Sequence, residues 1–262
     1  MEPTRELISI VIPVFNEEAG VLPLKVKLLR LAELLSSEFT PEFVFVDDGS
    51  SDATVAVLYY HFNTGDIRFR VLEHGTNRGV GAAFRTGFRA ARGSFVCTID
   101  ADCSYSPEGL RELLHALLQS GKDIAVASPY HPQGSVVGVP AWRLLLSRAC
   151  SLLYRCMSPL KLYTYTSIFR AYRAEVIRQV KFRGDGFVSA AEILLEAGRL
   201  GFTVVEVPMV LRARAVGHSK MKIVRTINSH LKVLFSTAKD AQKQPVAAVR
   251  RTQSRTQEEF GD

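Results

Sequence analysis

The chain has 262 residues, 47% hydrophobic and 23% charged, with a formal net charge of +7 and a pI near 9.3. This is the composition of one ordinary folded domain with an adequate core; with no apolar run near the roughly 20 residues that cross a bilayer, it excludes a membrane span. Cys97, Cys103, Cys150 and Cys156 form no C-x-x-C pair and have no His cluster beside them, which excludes a zinc site and fits free thiols in a reducing compartment. The first six residues lack the basic-then-apolar layout of a signal peptide, so a cytoplasmic chain is expected, peripheral on the cytoplasmic membrane face if it meets a membrane. The basic balance favours anionic partners. No aromatic-basic binding motif points to nucleic acid, which is therefore not expected.

In chain order, a β-branched run predicts a strand over 8–14, ended by an acidic turn. Helical spacing follows over 22–35. A second strand over 43–46 stops at Asp47-Asp48-Gly49-Ser50, and Asp52 is placed to cap a helix over 54–62. A third strand is predicted over 69–72 and a helix over 81–91, ended by Gly93. A fourth strand over 94–99 stops at Asp100. Pro107 opens the next helix at a position that tolerates proline, and a fifth strand covers 124–127. The second half is less regular: a loop over 129–140, helices over 142–157 and 187–200, a strand over 203–207, and a basic helix over 220–239. The last twenty or so residues are polar and aperiodic, as in a disordered tail.

Strand-helix alternation of this kind implies a mostly parallel α/β sheet with helices on both faces, and ligands beyond the carboxyl ends of its strands. The acidic clusters at 47–48 and 100–102 both follow strands directly, so they are expected on one rim. In Asp100-Ala101-Asp102 two carboxylates at alternate positions can face one cation; magnesium or manganese with nucleotide phosphates suits them, and a solvated turn is the plain alternative. Asp47 and Asp48 can accept hydrogen bonds from base or ribose, or merely cap a turn. Asn77-Arg78-Gly79-Val80-Gly81 precedes a helix, where glycines let backbone approach a ligand. Arg143 and Ser147 share a helix face with Arg148 beside them, while Arg212, Arg214 and Lys220 gather around Gly217; both groups can clamp a phosphate or simply face solvent.

Taken together these segments resemble the family-2 glycosyltransferases. Pro13-Val14-Phe15-Asn16-Glu17 looks like their opening P-x-[YF]-N-E. Residues 46–54 match their nucleotide-binding signature, Asn77-Arg78-Gly79 their N-x-G, and Asp100-Ala101-Asp102 their metal motif. The chain is most similar to the polyprenyl-phosphate sugar transferases of the dolichyl-phosphate mannose synthase type. Asp102-Cys103-Ser104-Tyr105-Ser106-Pro107-Glu108 resembles D-L-[QS]-H-x-P-E, which puts Ser104 at a third metal-ligand position. The segment 142–148 resembles an acceptor-phosphate helix, 166–170 resembles T-S-G-F-R, and 214–221 matches R-x-x-G-x-S-K-M. Three departures fall in the acceptor half: Pro129 where members carry a basic residue, Thr164 where they carry aspartate, and Ile168 in place of glycine.

The resemblance implies a GT-A fold, Rossmann-like, over 1–221 (nucleotide half 1–127, acceptor half 128–221), then a basic amphipathic helix over 222–240 and a tail over 241–262. It implies that Pro13, Asn16, Glu17, Asp47, Asp48, Asn77, Gly79, Asp100, Ala101 and Asp102 bind a GDP- or UDP-sugar. Asp100, Asp102 and Ser104 would hold Mg2+ or Mn2+. Arg143, Ser147, Arg212, Arg214 and Lys220 would bind a polyprenyl phosphate, with Asp102, Arg143 and Arg214 carrying the chemistry. Transfer to a hydroxyl acceptor, with Glu192 or Asp185 as base, is the nearest alternative; a nucleotide-binding accessory protein without turnover is the third. The helix over 222–240 suits a membrane surface, a membrane subunit, or packing on the domain itself.

Overall fold

The computed structural model describes residues 5–213 together with His230 and Val233. The elements run β1 Glu6–Val14, α1 Val21–Leu35, β2 Phe39–Asp47, α2 Thr54–Phe62, β3 Arg68–Glu73, α3 Val80–Ala90, β4 Phe95–Thr98, α4 Gly109–Ser120 and β5 Ile124–Ser128. Then come β6 Ser135–Val137, α5 Ala141–Met157, β7 Arg170–Arg173, α6 Ala174–Gln179, α7 Ser189–Arg199, β8 Val204–Pro208 and β9 Val210–Arg212. Seven strands form one sheet in the order β3-β2-β1-β4-β7-β5-β8, and β6 pairs with β9 in a small second sheet.

β1 explains the layering. Ile8, Ile10 and Ile12 point to one face and pack with Leu24, Leu28, Leu31 and Leu35 of α1, whose spacing of four, three and four puts them on one helical stripe. Val11 points to the other face and packs with Ala83 and Phe84 of α3. A strand covered on both sides reads as a continuous apolar run, as this one does. Gly87 on α3 sits where a Cβ would collide with the Val11 side chain, so the helix rides close on the sheet.

β2, β1 and β4 run parallel, with Val14 opposite Asp47 and Val11 opposite Thr98. Chain order reverses direction across the sheet between β1 and β4. The carboxyl ends of β1, β2 and β4 therefore share one rim at a topological switch point, where open α/β sheets bind ligands.

Four details differ from the sequence reading. β7 is an antiparallel strand inserted between β4 and β5; four residues, Arg-Ala-Tyr-Arg, carry no periodicity, and pairing on both edges creates the strand. The loop over 129–140 contains β6, which needs β9 as its partner. Gly93 does not end α3: the helix stops at Ala90 as Ala91 turns extended, and Gly93 instead admits the β1 backbone, since a Cβ there would lie 2.6 Å from the Leu7 carbonyl oxygen. α4 begins at Gly109, two residues after Pro107, which supplies its carbonyl to Leu110 N–H.

The helix expected over 222–240, the tail over 241–262, and Arg214 and Lys220 lie outside the described residues, His230 and Val233 excepted. Those two pack inward. Tyr154 Oη of α5 is 2.7 Å from His230 Nδ1, and Val233 joins the cluster of Cys150 and Tyr154. Burial lowers the His230 pKa, which favours the neutral ring for that bond. Among the described residues no helix is long and apolar enough to cross a membrane.

Candidate active site

The rim is built by loops that clasp one another. After β1, Asn16 takes a positive φ of 51°, unusual for a residue with a side chain. The turn is held by reciprocal bonds: Asn16 N–H donates to Ser50 Oγ (2.8 Å), while Asn16 Oδ1 accepts from Ser51 N–H (2.7 Å). Glu17 N–H donates to Thr54 Oγ1 at 2.8 Å. The loops after β1 and β2 thus form one body, and Pro13, Asn16 and Glu17 sit beside Asp47 through Ser51.

Asp47 and Asp48 are both buried, and both brace the scaffold. Asp47 Oδ2 accepts from Gly49 N–H and Ser50 N–H, and Oδ1 from the Ser50 hydroxyl. Asp48 reaches further: Oδ1 lies 2.9 Å from His74 Nδ1 and accepts from Arg78 N–H at 2.9 Å, and Oδ2 accepts from Gly79 N–H at 2.7 Å. A charged acceptor with three donors is a strong tether. It fixes the Asn77–Gly79 loop to the end of β2. Asp52 likewise accepts from Thr54 N–H, one residue outside the formal cap of α2.

The glycines at 79 and 81 do approach another backbone closely, and it is the chain's own. A Cβ at Gly79 (φ 94°) would collide with the Asp185 carbonyl oxygen, and one at Gly81 with that of Gly184. Gly81 N–H donates to the Asp185 carbonyl at 2.7 Å. Arg85 adds a hydrogen bond to the Gly184 carbonyl at 3.1 Å and an ion pair to Asp185. From the far side Glu192 Oε2 accepts from Arg183 N–H (3.1 Å) and Gly184 N–H (2.6 Å). The loop over 183–186 is therefore clamped between α3 and α7. No local pattern announces contacts a hundred residues apart.

β4 ends at Thr98, so strand alternation does not set the relation of the two aspartates. They belong to a turn in which Cys103 N–H donates to the Asp100 carbonyl at 3.0 Å, with Cys103 at a φ of 52°. Ser104 is tied to Asp102: its hydroxyl and amide donate to Asp102 Oδ1 at 2.8 and 2.9 Å. Burial pushes the Cys103 thiol up to about 11, opposed by Lys27 and reinforced by the Asp102 and Asp100 charges. Among the described residues no three His, Cys, Asp or Glu side chains cluster to hold a metal. Two carboxylates with phosphate oxygens completing the shell suit Mg2+ or Mn2+ rather than zinc. Arg212 N–H donates to the Ser104 carbonyl at 2.9 Å, which brings β9 to this turn.

On α5, Ser147 and Arg148 lie beside Tyr130. Ser147 Oγ is 2.7 Å from Thr166 Oγ1, and the Arg148 guanidinium lies 5.3 Å from the Tyr130 ring centroid. Burial raises the Tyr130 pKa, opposed by a hydrogen bond with Ser147 and the Arg148 charge. Arg143 stacks over Trp142 at 5.1 Å, and its Nε is buried with no hydrogen-bond partner among the described residues. One of the three departures pairs with the neighbour of another: Thr164 Oγ1 is 2.8 Å from the buried Ser128 Oγ, one residue before Pro129. A neutral hydroxyl pair occupies that point. Ile168 is buried in the cluster of Val11 and Phe84. Sequence reasoning missed Tyr130, the Arg85–Asp185 latch and Arg170, which is fully buried, with Nη1 on the Ala190 carbonyl (2.7 Å) and Nη2 on that of Tyr165 (2.9 Å).

Position and chemistry define a class first: an α/β protein with hard oxygen donors at its switch point, where open α/β sheets bind ligands. The chain belongs to Glycosyl transferase family 2, whose model matches residues 9–181, and is a nucleotide-sugar-dependent glycosyltransferase. It is 33% identical over 229 residues to polyprenol monophosphomannose synthase of Mycolicibacterium smegmatis (84% of this chain, 83% of that one). It is 35% identical over 217 residues to undecaprenyl-phosphate mannosyltransferase of Micrococcus luteus (80% and 86%), and 29% identical over 239 residues to dodecaprenyl-phosphate galacturonate synthase of Rhizobium johnstonii (89% and 67%). Among solved structures, glucosyl-3-phosphoglycerate synthase from Mycobacterium tuberculosis in complex with Mn2+, UDP and glucosyl-3-phosphoglycerate superposes with a TM-score of 0.64 at 20% identity, covering 92% of this chain and 81% of that one. That likeness identifies the fold as GT-A.

Proposed function

We propose that the chain transfers a hexose-type sugar from a GDP- or UDP-sugar to the phosphate of a polyprenyl lipid, with inversion at the anomeric carbon. The observation that carries this reading is how the acidic side chains near the acceptor side are used. Glu192 Oε2, on α7, holds two backbone amides of the 183–186 loop, and Asp185 is paired with Arg85. A hydroxyl acceptor needs a base to take its proton; a phosphate is already anionic at neutral pH and needs cations instead. α5 presents Arg143 and Arg148 with Ser147, and Arg212 stands beside the metal turn. The relatives named above, all of which act on polyprenyl-type phosphates by name, support the same acceptor class.

In this reading the donor's base and ribose rest on the body formed by Pro13, Asn16, Glu17 and Asp47, and Asn77 and Gly79 wall the site with their loop pinned by Asp48. Asp100 and Asp102 hold the divalent ion, with Ser104 orienting Asp102. What a bound Mg2+ or Mn2+ supplies is neutralisation of the charge that builds on the departing nucleotide diphosphate. Arg143, Ser147, Arg212, Arg214 and Lys220 bind the lipid phosphate and aim one oxygen at the anomeric carbon. Positioning and electrostatics then carry the rate, with no proton to move.

The test is nucleotide diphosphate release from a panel of GDP- and UDP-sugars with manganese or magnesium, with and without polyprenyl phosphate. Release that requires the lipid phosphate, with a sugar-lipid product, is the expected result and names the donor. Release stimulated only by saccharide or lipid hydroxyls would overturn the acceptor assignment.

A further inference from the structure

α5 leaves one face uncovered, and that face is apolar. Its inner side is buried through Cys150, Ser151 and Tyr154. Its outer side carries Trp142, Leu145, Ala149, Leu152 and Cys156, all exposed. Successive spacings of three, four, three and four place these five on one stripe. Leu145 is 70% exposed and Leu152 62%, with Leu153 at 48% alongside. Single exposed leucines are ordinary; a contiguous stripe along four helical turns marks an interaction surface.

The charges of the segment that carries the stripe all have one sign; Glu206, from β8, is the carboxylate that reaches it, at the Tyr163 and Thr164 amides. Residues 124–174 contain no Asp or Glu, although the whole chain has 26, and they carry six Lys or Arg. Arg148 and Arg155, seven apart, form a row beside the stripe, and exposed Lys161 follows the helix end. Two of these cations are aimed by aromatic rings: Arg148 over Tyr130 at 5.3 Å, and Arg155 over Tyr163 at 4.9 Å. Tyr163 is itself 39% exposed. An apolar stripe bordered by cations, with an aromatic residue at its start, matches a bilayer interface in which acyl chains lie beneath anionic headgroups.

We propose that the outer face of α5, through Trp142, Leu145, Leu152 and Leu153 flanked by Arg148, Arg155 and Lys161, docks the protein on an anionic lipid bilayer. The same helix bears Arg143 and Ser147, so docking sets the acceptor-binding groups at the depth where a lipid-linked phosphate sits. The purpose of the docking rests on the acceptor reading above; the binding itself does not. The two described residues of the expected C-terminal helix, His230 and Val233, face inward onto α5.

The experiment is flotation of the purified full chain with vesicles of phosphatidylcholine alone or with about a third phosphatidylglycerol. Wild type is expected to float with the anionic vesicles at least tenfold more than with the neutral ones, and less as salt is raised. Leu145→Glu with Leu152→Glu should abolish flotation, whereas Leu22→Glu, at a 52% exposed leucine on α1, should not. A second readout uses two acceptors: the double variant should turn over a short, water-soluble prenyl phosphate like wild type and lose at least tenfold on long-chain polyprenyl phosphate in vesicles. Unaltered flotation of the folded double variant, or no flotation of wild type on anionic lipid, would overturn the proposal. So would capture only by protease-sensitive native membranes, which would make the partner a protein. Normal flotation with no turnover of either prenyl phosphate would instead overturn the acceptor reading and leave the docking face standing.

Discussion

The donor rim and the acceptor side are built on opposite plans. At the rim, polar side chains are satisfied inside the protein: Asp47, Asp48, Asn16 and Asp102 each hold backbone amides or neighbouring hydroxyls. On α5 an apolar stripe faces solvent, and the buried Arg143 Nε lacks a partner among the described residues. A site that binds a small soluble ligand gains from being pre-formed, because no ordering is left to do on binding. A site that meets a ligand delivered by a larger surface must leave part of itself uncovered.

The largest effect should come from breaking the rim where its chemistry lies. Asp102→Ala removes the proposed metal ligand and the acceptor for Ser104, and turnover should fall about a thousandfold, the scale of losing one focused electrostatic contact. Nucleotide diphosphate release measures it, and a near-wild-type rate would remove Asp102 from the metal site. Asp48→Ala tests the scaffold: it strips His74, Arg78 N–H and Gly79 N–H of one buried acceptor and should cost about 3 kcal/mol of stability, read by urea unfolding. A change within 0.5 kcal/mol or so would show the tether to be slack.

On the acceptor side the effects should be selective. Arg143→Ala should raise KM for the lipid phosphate about tenfold, the value of one charge-assisted contact, and leave the donor KM unchanged. A rise in donor KM instead would place Arg143 at the rim. Glu192→Gln is smaller still: with an amide oxygen still able to accept from Gly184 N–H, the rate should stay within about threefold of wild type, whereas loss of a general base costs about a hundredfold or more.

The smallest effect concerns Cys103. Its folded pKa of about 11 lies above its ordinary value near 9. The corresponding stability is fully present below about pH 9 and is lost as pH rises towards 11. At neutral pH Cys103 should alkylate far more slowly than exposed Cys156. Mass spectrometry after timed alkylation reads the order, and prior labelling of Cys103 would contradict a buried protonated thiol.

Much of the donor half was legible because its information is local. The β-branched runs of β1 and β2, the helical stripe of α1 and the turn residues after each strand sit within short windows. The meaning of individual motif residues was less legible. Asp48 reads as a ligand contact in sequence, and the structure adds its tether to residues 78 and 79; Gly79 and Gly81 read as room for a ligand, and the structure adds the close approach of the Gly184 and Asp185 backbone.

The sequence alone determined the alternating α/β order, the shared rim for Asp47, Asp48, Asp100 and Asp102, and the family, because periodicity, turn chemistry and motif order are written along the chain. Tertiary structure decided the rest: β7 slipped antiparallel between β4 and β5, β6 paired with β9, Arg85 latched to Asp185, and which side of α5 is left uncovered. Each of these depends on contacts between segments dozens of residues apart, and a short strand or an exposed helix face acquires its meaning only from what does or does not pack against it.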